Sequence, residues 1–375
     1  MNNTTSDTQQ INIKSLTKEE LDEFCSELGL KRFRSDQIVQ WLYQKGAKSF
    51  DEMTNLSLDL RENLKNVATL QSLTLANAQI AKDGTVKYLF KLHDGHHIES
   101  VLIPELHHDG TADRLTVCVS SQVGCVFGCS FCATGKMGFF RNLTPGEILD
   151  QLLYINDYAL SRYGKKITNV VYMGMGEPLN NYKSVIGSAE IVCDPLSIDL
   201  SPRRVTISTV GLTKQVKMLG KEEQPYNLAI SLHAATDEKR NRIMPINQTL
   251  NLKSLKEALL FYHENTGKQI TYEYLLFDEF NDSKEDAKYL AGIAQWIPSK
   301  VNIIMYNDVA GVALKRAREE RLNRFLQALT QEGVLATVRR SRGDDIDAGC
   351  GQLAIREGAE KGKSIADKPE ILRND

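Results

Sequence analysis

The 375-residue chain is longer than one simple core needs, which favours a large principal domain with smaller appendages. Hydrophobic residues make up 42% and charged residues 25%, ordinary globular usage that excludes a fibrous or largely disordered chain. The net charge of −2 excludes a global electrostatic case for nucleic-acid binding, so any such case must be local.

Residues 1–12, beginning "MNNTTSDTQQ", read as a disordered leader without the basic start and apolar run of a secretory signal. A helical module follows over 13–68. In "SLTKEELDEFCSELGL" Thr17 stands three residues before Glu20 as in a capping box, with Leu21, Phe24, Cys25 and Leu28 on one face. "RSDQIVQWLYQKG" adds a second helix that stops at Gly46, and "LSLDLRENL" a third. Cys25 lies on the apolar stripe and reads as packing.

Over 69–110 the periodicity changes to two, with "TVKYLFKL", a turn at "HDGHH" and "IESVLIP", a hairpin extension. From 111 to 358 strands alternate with amphipathic helices: "RLTVCVS", "ITNVVYMGMGEP", "RRVTISTVG", "YNLAISLHA", "KQITYEYLLF", "KVNIIMYND" and "VLATVRRSRG" are the strands. This repeat is the signature of an α/β fold with a parallel sheet, and a partial (β/α) barrel is expected because several strands end in polar or glycine-rich residues. Those ends are Gly174-Met175-Gly176-Glu177, Ser208-Thr209, Ser231-Leu232-His233 and Asn307-Asp308. Residues 359–375 read as a flexible tail. No stretch approaches the roughly 18 apolar residues of a membrane span, so no membrane partner and a cytoplasmic location are expected.

Basic clusters occur at Arg203-Arg204, at Lys315-Arg316-Arg318 with Arg321, and at Arg339-Arg340 with Arg342. Acidic neighbours such as Glu319-Glu320 and Asp344-Asp345 dilute them, and the ordinary reading of each is a solvated face.

Three of the seven cysteines, Cys125, Cys129 and Cys132, fall in "GCVFGCSFCATG" as C-x3-C-x2-C, just after the strand "RLTVCVS". Thiolates converging in a loop select an iron–sulfur cluster or zinc. A structural zinc site would need a fourth ligand, usually from a second pair, and a saturated electron-carrier cluster would need four cysteines. With three, a 4Fe-4S cluster keeps one iron open to a substrate. Cys350 lies between glycines in "DAGCGQL", which leave the backbone mobile and the thiol accessible; by sequence alone it is equally readable as buried filler. Cys118 reads as strand core and Cys193 as packing.

C-x3-C-x2-C after the first strand of an α/β barrel resembles the signature of radical S-adenosylmethionine (SAM) enzymes, with Phe131 as the aromatic usual before the last cysteine. The segments "CVSSQVGCVFGCSFCATGKMGFFRNLTPGEI", "VVYMGMGEPLNN", "RRVTISTVG", "AISLHAA" and "GDDIDAGCGQL" are similar, in sequence and order, to the RlmN family of dual-specificity RNA methyltransferases. The resemblance spans nearly the whole chain. It implies methylation of adenosine carbon 2 in 23S rRNA, at the peptidyl-transferase centre, and in tRNA, next to the anticodon.

The resemblance implies a 4Fe-4S cluster held by Cys125, Cys129 and Cys132, and SAM contacts at Gly176, Glu177, Ser208, Ser231, Leu232, His233 and Asn307. It implies that Cys350 carries the methyl group, that Cys118 resolves it through a transient disulfide, and that Glu99 of "IESVLIP" accepts the proton. It also implies two SAM per turnover, since an aromatic carbon is no nucleophile for a sulfonium methyl. A low-potential donor such as flavodoxin and a monomeric enzyme are expected. The basic clusters and helical module are the candidates for RNA contact. Two rivals remain: a Cfr-type methyltransferase acting on carbon 8, which shares the five cysteines, and a non-catalytic metal-containing RNA-binding protein.

Overall fold

The structure is a computed structural model that describes residues 10–354. Most of the expected leader and the whole of the expected tail lie outside the described residues. The N-terminal module comprises strand β1 (Ile11–Asn12), helices α1 (Lys18–Glu27), α2 (Phe33–Val39) and α3 (Leu58–Val67), and strand β2 (Ala68–Thr69), with a π-helical turn Gln40–Gln44 prolonging α2. Thr17 and Glu20 close the capping box of α1, and Leu21, Phe24 and Cys25 are buried beneath it. Residues 11 and 12, expected to belong to the leader, are part of this module. Ile11 and Asn12 pair in parallel with Ala68 and Thr69, and the Asn12 side-chain oxygen accepts from the backbone N–H of Lys14 and Gln71.

Strands β3 (Thr74–Ile80), β4 (Val86–Lys91) and β5 (His97–Leu106) form an antiparallel meander. It has three strands where a hairpin was expected, and it is part of the main sheet, because β5 pairs antiparallel with β6 (Ala112–Cys118). Then come β7 (Gln122–Gly124), the single turn α4 (Ala133–Lys136), β8 (Phe139–Asn142), α5 (Pro145–Tyr163), β9 (Asn169–Tyr172) and α6 (Tyr182–Cys193). The chain continues with β10 (Val205–Thr209), α7 (Thr213–Lys221), β11 (Asn227–Ser231), α8 (Asp237–Ile243), α9 (Leu252–Thr266) and β12 (Ile270–Leu276). It closes with α10 (Lys284–Ala294), β13 (Ser299–Met305), α11 (Glu319–Gln331) and β14 (Ala336–Arg339).

One ten-stranded sheet runs in the order β14-β13-β12-β11-β10-β9-β6-β5-β4-β3. From β6 to β14 all neighbours are parallel, and the edges β14 and β3 are not joined, so the α/β barrel is partial. Its central strands β9–β12 are mostly buried, because helices cover the outside while the other face lines the interior, whereas the edge strands β3 and β14 are more exposed. The register puts the carboxyl ends of β6 and β9–β13 on one rim.

The helical module is fastened against this barrel. Lys14 and Asp150 form a buried ion pair, and Lys183 of α6 reaches Glu20 of α1 at 2.6 Å. Gly146 and Gly187 allow the contact, since a Cβ at either would lie 2.2 Å from Lys14 O and 2.6 Å from Thr17 Cγ2 respectively.

Candidate active site

The three-cysteine loop hangs from the two-stranded ribbon of β7 and β8. Gly124 makes the entry possible: its φ is +74°, and a Cβ there would lie 1.8 Å from Gly138 O. Cys125 N–H donates to that same carbonyl at 2.9 Å, and Cys132 N–H donates to Cys129 O at 3.1 Å, so the loop is shaped by its own backbone. All three cysteines line one cavity of about 870 Å³, open mouth included, at the carboxyl rim of the barrel. Gly176, Glu177, Ser208, Ser231, His233 and Cys350 line it too.

Burial pushes the Cys125 thiol up to about 11 and drives Cys129 and Cys132 upward as well, with neighbouring thiols adding to the first two. With Cys129 buried and Cys125 and Cys132 half-buried, the three thiols offer soft ligands for three corners of an iron–sulfur cluster. Among the described residues no three His, Cys, Asp or Glu side chains close on a single-ion position. The three thiols are distributed along the cavity wall.

Glu177 is 3% exposed, and its carboxylate accepts from the N–H of Leu179 at 3.1 Å and of Val210 at 2.9 Å. Burial raises it to about 7 despite those bonds. Its own N–H donates to Gln122 Oε1 at 2.9 Å, an approach that requires Gly176, where a Cβ would be 2.4 Å from Gln122 Cβ. Ser208 and Ser231 hydroxyls lie 3.3 Å apart at the ends of β10 and β11. His233 has φ 55°, a strained value for a side-chain-bearing residue, held by Asn281 Nδ2 donating to its carbonyl at 2.7 Å. Its Nδ1 accepts from Leu275 N–H at 3.1 Å, which leaves the proton on Nε2. Burial, with help from Arg240, lowers its pKa to about 3, so the ring is neutral.

Leu232 and Asn307 are not brought to the cavity surface. Leu232 is fully buried and contributes backbone, donating to Glu273 O at 3.0 Å. Asn307 Nδ2 instead donates to Asp344 Oδ1 at 3.1 Å and Gln352 Oε1 at 3.2 Å, tying β13 to the Cys350 loop.

The glycines around Cys350 provide close approach rather than mobility. A Cβ on Gly349 would sit 2.0 Å from Asn307 Nδ2, and Gly351 O accepts from Ala133 N–H at 2.7 Å, locking the loop onto α4. Cys350 also lines a second cavity, together with Cys118, Ile103 and Arg339. Both cysteines are free thiols. Burial and the neighbouring Cys350 raise Cys118 to about 12; burial also raises Cys350, opposed by Arg339. Glu99 lines neither cavity. It lies behind the loop, its carboxylate 3.2 Å from Lys87 Nζ and accepting from Ala354 N–H at 2.9 Å.

Two charged residues here escaped the sequence reading. Glu273 of β12 is buried in the cavity wall, accepting from Asn302 Nδ2 at 2.9 Å and lying 3.5 Å from Arg339. Arg240 of α8 is completely buried, donating to the carbonyls of Val210, Ser231 and Leu232 and to Asn247 Oδ1. A carboxylate inside an otherwise apolar strand was a readable signal for Glu273; "DEKRNRI" gave none for Arg240, since it reads as a solvated helix.

A partial α/β barrel with a three-cysteine loop and a buried carboxylate on its carboxyl rim defines a radical SAM enzyme, a class that implies SAM and a 4Fe-4S cluster. The "Radical SAM superfamily" model matches residues 119–290, and the "Ribosomal RNA large subunit methyltransferase N-terminal domain" model matches residues 11–70. The chain is 50% identical to the "Probable dual-specificity RNA methyltransferase RlmN" of Salinibacter ruber, over 92% of this chain and 94% of that protein. It is 45% identical to the "Dual-specificity RNA methyltransferase RlmN" of Campylobacter fetus, over 93% and 99%. The crystal structure of a radical SAM methyltransferase from Sphaerobacter thermophilus superposes with a TM-score of 0.83 at 41% identity, covering 92% of this chain and 99% of that one. The chain belongs to the RlmN family of dual-specificity RNA methyltransferases: it is a SAM-dependent enzyme that acts on RNA. Among the described residues no helix is long and apolar enough to cross a membrane.

Proposed function

We propose that the enzyme methylates carbon 2 of adenosine in 23S rRNA and in tRNA by a ping-pong route through an S-methylcysteine at Cys350. The observation that carries this reading is that Cys350 shares one cavity with Cys125, Cys129 and Cys132 and another with Cys118. When bound at the three cysteines, the cluster supplies the electron that cleaves SAM to methionine and a 5'-deoxyadenosyl radical.

Glu177 accepts the SAM ammonium group, and the neutral His233 and paired serines offer uncharged contacts beside it. Cys350, as thiolate, first attacks the methyl carbon of one SAM, forming the S–CH3 bond and displacing S-adenosylhomocysteine. Loss of a hydrogen from that S-methyl group then leaves a carbon-centred radical that adds to adenine carbon 2. The adduct radical gives up one electron, returning the one spent on SAM cleavage, and Glu99 takes the carbon-2 proton; the Cys118 thiolate then attacks the Cys350 sulfur, and the released methylene carbon takes up a proton to become the methyl group, leaving a disulfide and free methylated RNA. Arg339 stands beside both sulfurs and favours their thiolate forms.

The test is anaerobic incubation of reconstituted, reduced enzyme with SAM and rRNA or tRNA fragments, followed by mass mapping. The reading requires 5'-deoxyadenosine, S-adenosylhomocysteine and 2-methyladenosine together. Methyl found at carbon 8 overturns the position; absence of SAM cleavage overturns the chemistry.

A further inference from the structure

Alternate residues of β4 meet opposite environments. Val86, Tyr88 and Phe90 are buried, and the two aromatic rings pack against Tyr154 and Tyr158 of α5 on the helix-covered side of the sheet. The two-residue period of a strand therefore turns Lys87 to the inner face, where its side chain is 11% exposed. Lys82, before the strand, and Lys91, at its end, are exposed. The register sets Val101 of β5 opposite both Lys87 and Cys118 of β6. Glu99, two residues before Val101, shares that inner face and is the diagonal neighbour of Lys87 on one side and of Cys118 on the other.

We propose that Lys87 is the positioning residue for Glu99, holding its carboxylate charged and in place on the inner face beside Cys118, ready to take the carbon-2 proton. The inference rests on the reading of Glu99 as the base. Lys87 Nζ lies 3.2 Å from Glu99 Oε1 and donates to Asp347 O at 3.4 Å, while Ala354 N–H donates to Glu99 Oε2 at 2.9 Å. The carboxylate is thus gripped between an ammonium group and the two stems of the Cys350 loop.

The charge matters as much as the grip. A carboxyl group buried without a counter-charge reverts to the neutral acid, which has no anionic oxygen to receive a proton. Glu99 has a side chain only 7% exposed, and Lys87 supplies the counter-charge. In the step itself the carbon-2 C–H bond breaks, its electron pair stays in the purine ring, and the proton passes to a Glu99 oxygen. The backbone of Glu99 is already fixed, its N–H donating to Met175 Sδ at 3.3 Å and its carbonyl accepting from the Ser120 hydroxyl at 2.5 Å. The freedom left to the side chain is what Lys87 removes.

The experiment compares wild type, K87M, K87R and E99Q, reconstituted and reduced anaerobically, with SAM and an rRNA hairpin fragment carrying hydrogen or deuterium at carbon 2. Iron content and thermal midpoint report folding, intact mass reports Cys350 methylation, and a denaturing gel reports the covalent protein–RNA adduct. K87M should methylate Cys350 and form 5'-deoxyadenosine in its first turnover as wild type does, with an unchanged KM for RNA. Its kcat should fall roughly 10- to 100-fold, as for a misplaced catalytic group. The adduct should accumulate, and deuterium should slow product formation more than in wild type. K87R, which keeps the charge but shifts it, should fall between in both rate and isotope effect. Folded K87M with wild-type kcat overturns the inference, as does loss of Cys350 methylation in step with product, which would make Lys87 an anchor of the loop only. Should K87M lose its iron, K87R carries the test, and a wild-type isotope effect there overturns it. E99Q should stall at the adduct; an E99Q enzyme that releases product without accumulating adduct overturns the base reading itself.

Discussion

Arg240→Met gives the sharpest test of how the barrel rim is built. Arg240 is fully buried and, among the described residues, has no carboxylate at bonding distance; its guanidinium is satisfied by Val210 O and Asn247 Oδ1 at 2.6 Å, Leu232 O at 3.2 Å and Ser231 O at 3.3 Å. It therefore clips the ends of β10 and β11 together, immediately beside the Val210 N–H that holds Glu177 and the strained His233. Methionine keeps much of the volume but leaves buried acceptors unpaired, at about 1–3 kcal/mol each. If the two short bonds dominate, the gross cost is about 2–6 kcal/mol, and relief from burying a charge offsets part of it, leaving roughly 2–4 kcal/mol. Urea unfolding of the cluster-free protein followed by circular dichroism should show a lowered midpoint at unchanged slope. SAM binding should weaken by about tenfold or more, a loss of about 1.4 kcal/mol, because the strand ends lose their alignment. Arg240→Lys, with charge but no planar fork, should fall between. A methionine variant as stable as wild type with undiminished SAM affinity would refute the clip.

Gly349→Ala places a Cβ 2.0 Å from Asn307 Nδ2, so the Cys350 loop must shift; intact-mass analysis should find Cys350 unmethylated while iron content stays normal. The Glu177 carboxyl, raised by burial to about 7, is protonated in the ligand-free protein at mildly acid pH. SAM affinity should therefore rise as the pH climbs through about 7, and E177Q should bind weakly with a flat profile; an unchanged profile would remove the ammonium contact. For stability the sign is opposite. A raised carboxyl favours the folded state below its unfolded value, and that contribution is lost as the pH rises through about 7, so E177Q should flatten the decline in the ligand-free protein.

The motif spacing, the capping box at α1, the strand–helix alternation and the polar strand ends were all legible, because each is written in local order along the chain. What was not legible depends on residues far apart in sequence. Lys14 meets Asp150 only through the fold, and an isolated lysine ahead of the first helix carries no sign of burial. Glycines flanking Cys350 suggested freedom, whereas the folded chain uses Gly349 to pass against Asn307. The meander β3–β5 read as an appendage because antiparallel strands give no hint of which edge they join. Most of all, the shared wall at Cys350 is a property of two cavities, and no spacing of cysteines encodes it.

The central claim is that the methyl carbon reaches RNA through Cys350. The direct measurement is peptide mass spectrometry of C118A incubated anaerobically with trideuteromethyl-SAM and RNA, then digested by nuclease and protease. The account predicts an adenosine bridged to the Cys350 sulfur by a carbon carrying two deuteriums, the third having left with 5'-deoxyadenosine, and no such product from C118A/C350A. Methylated RNA formed by a C350A enzyme, or a trideuterated methyl group delivered intact to the base, would contradict it.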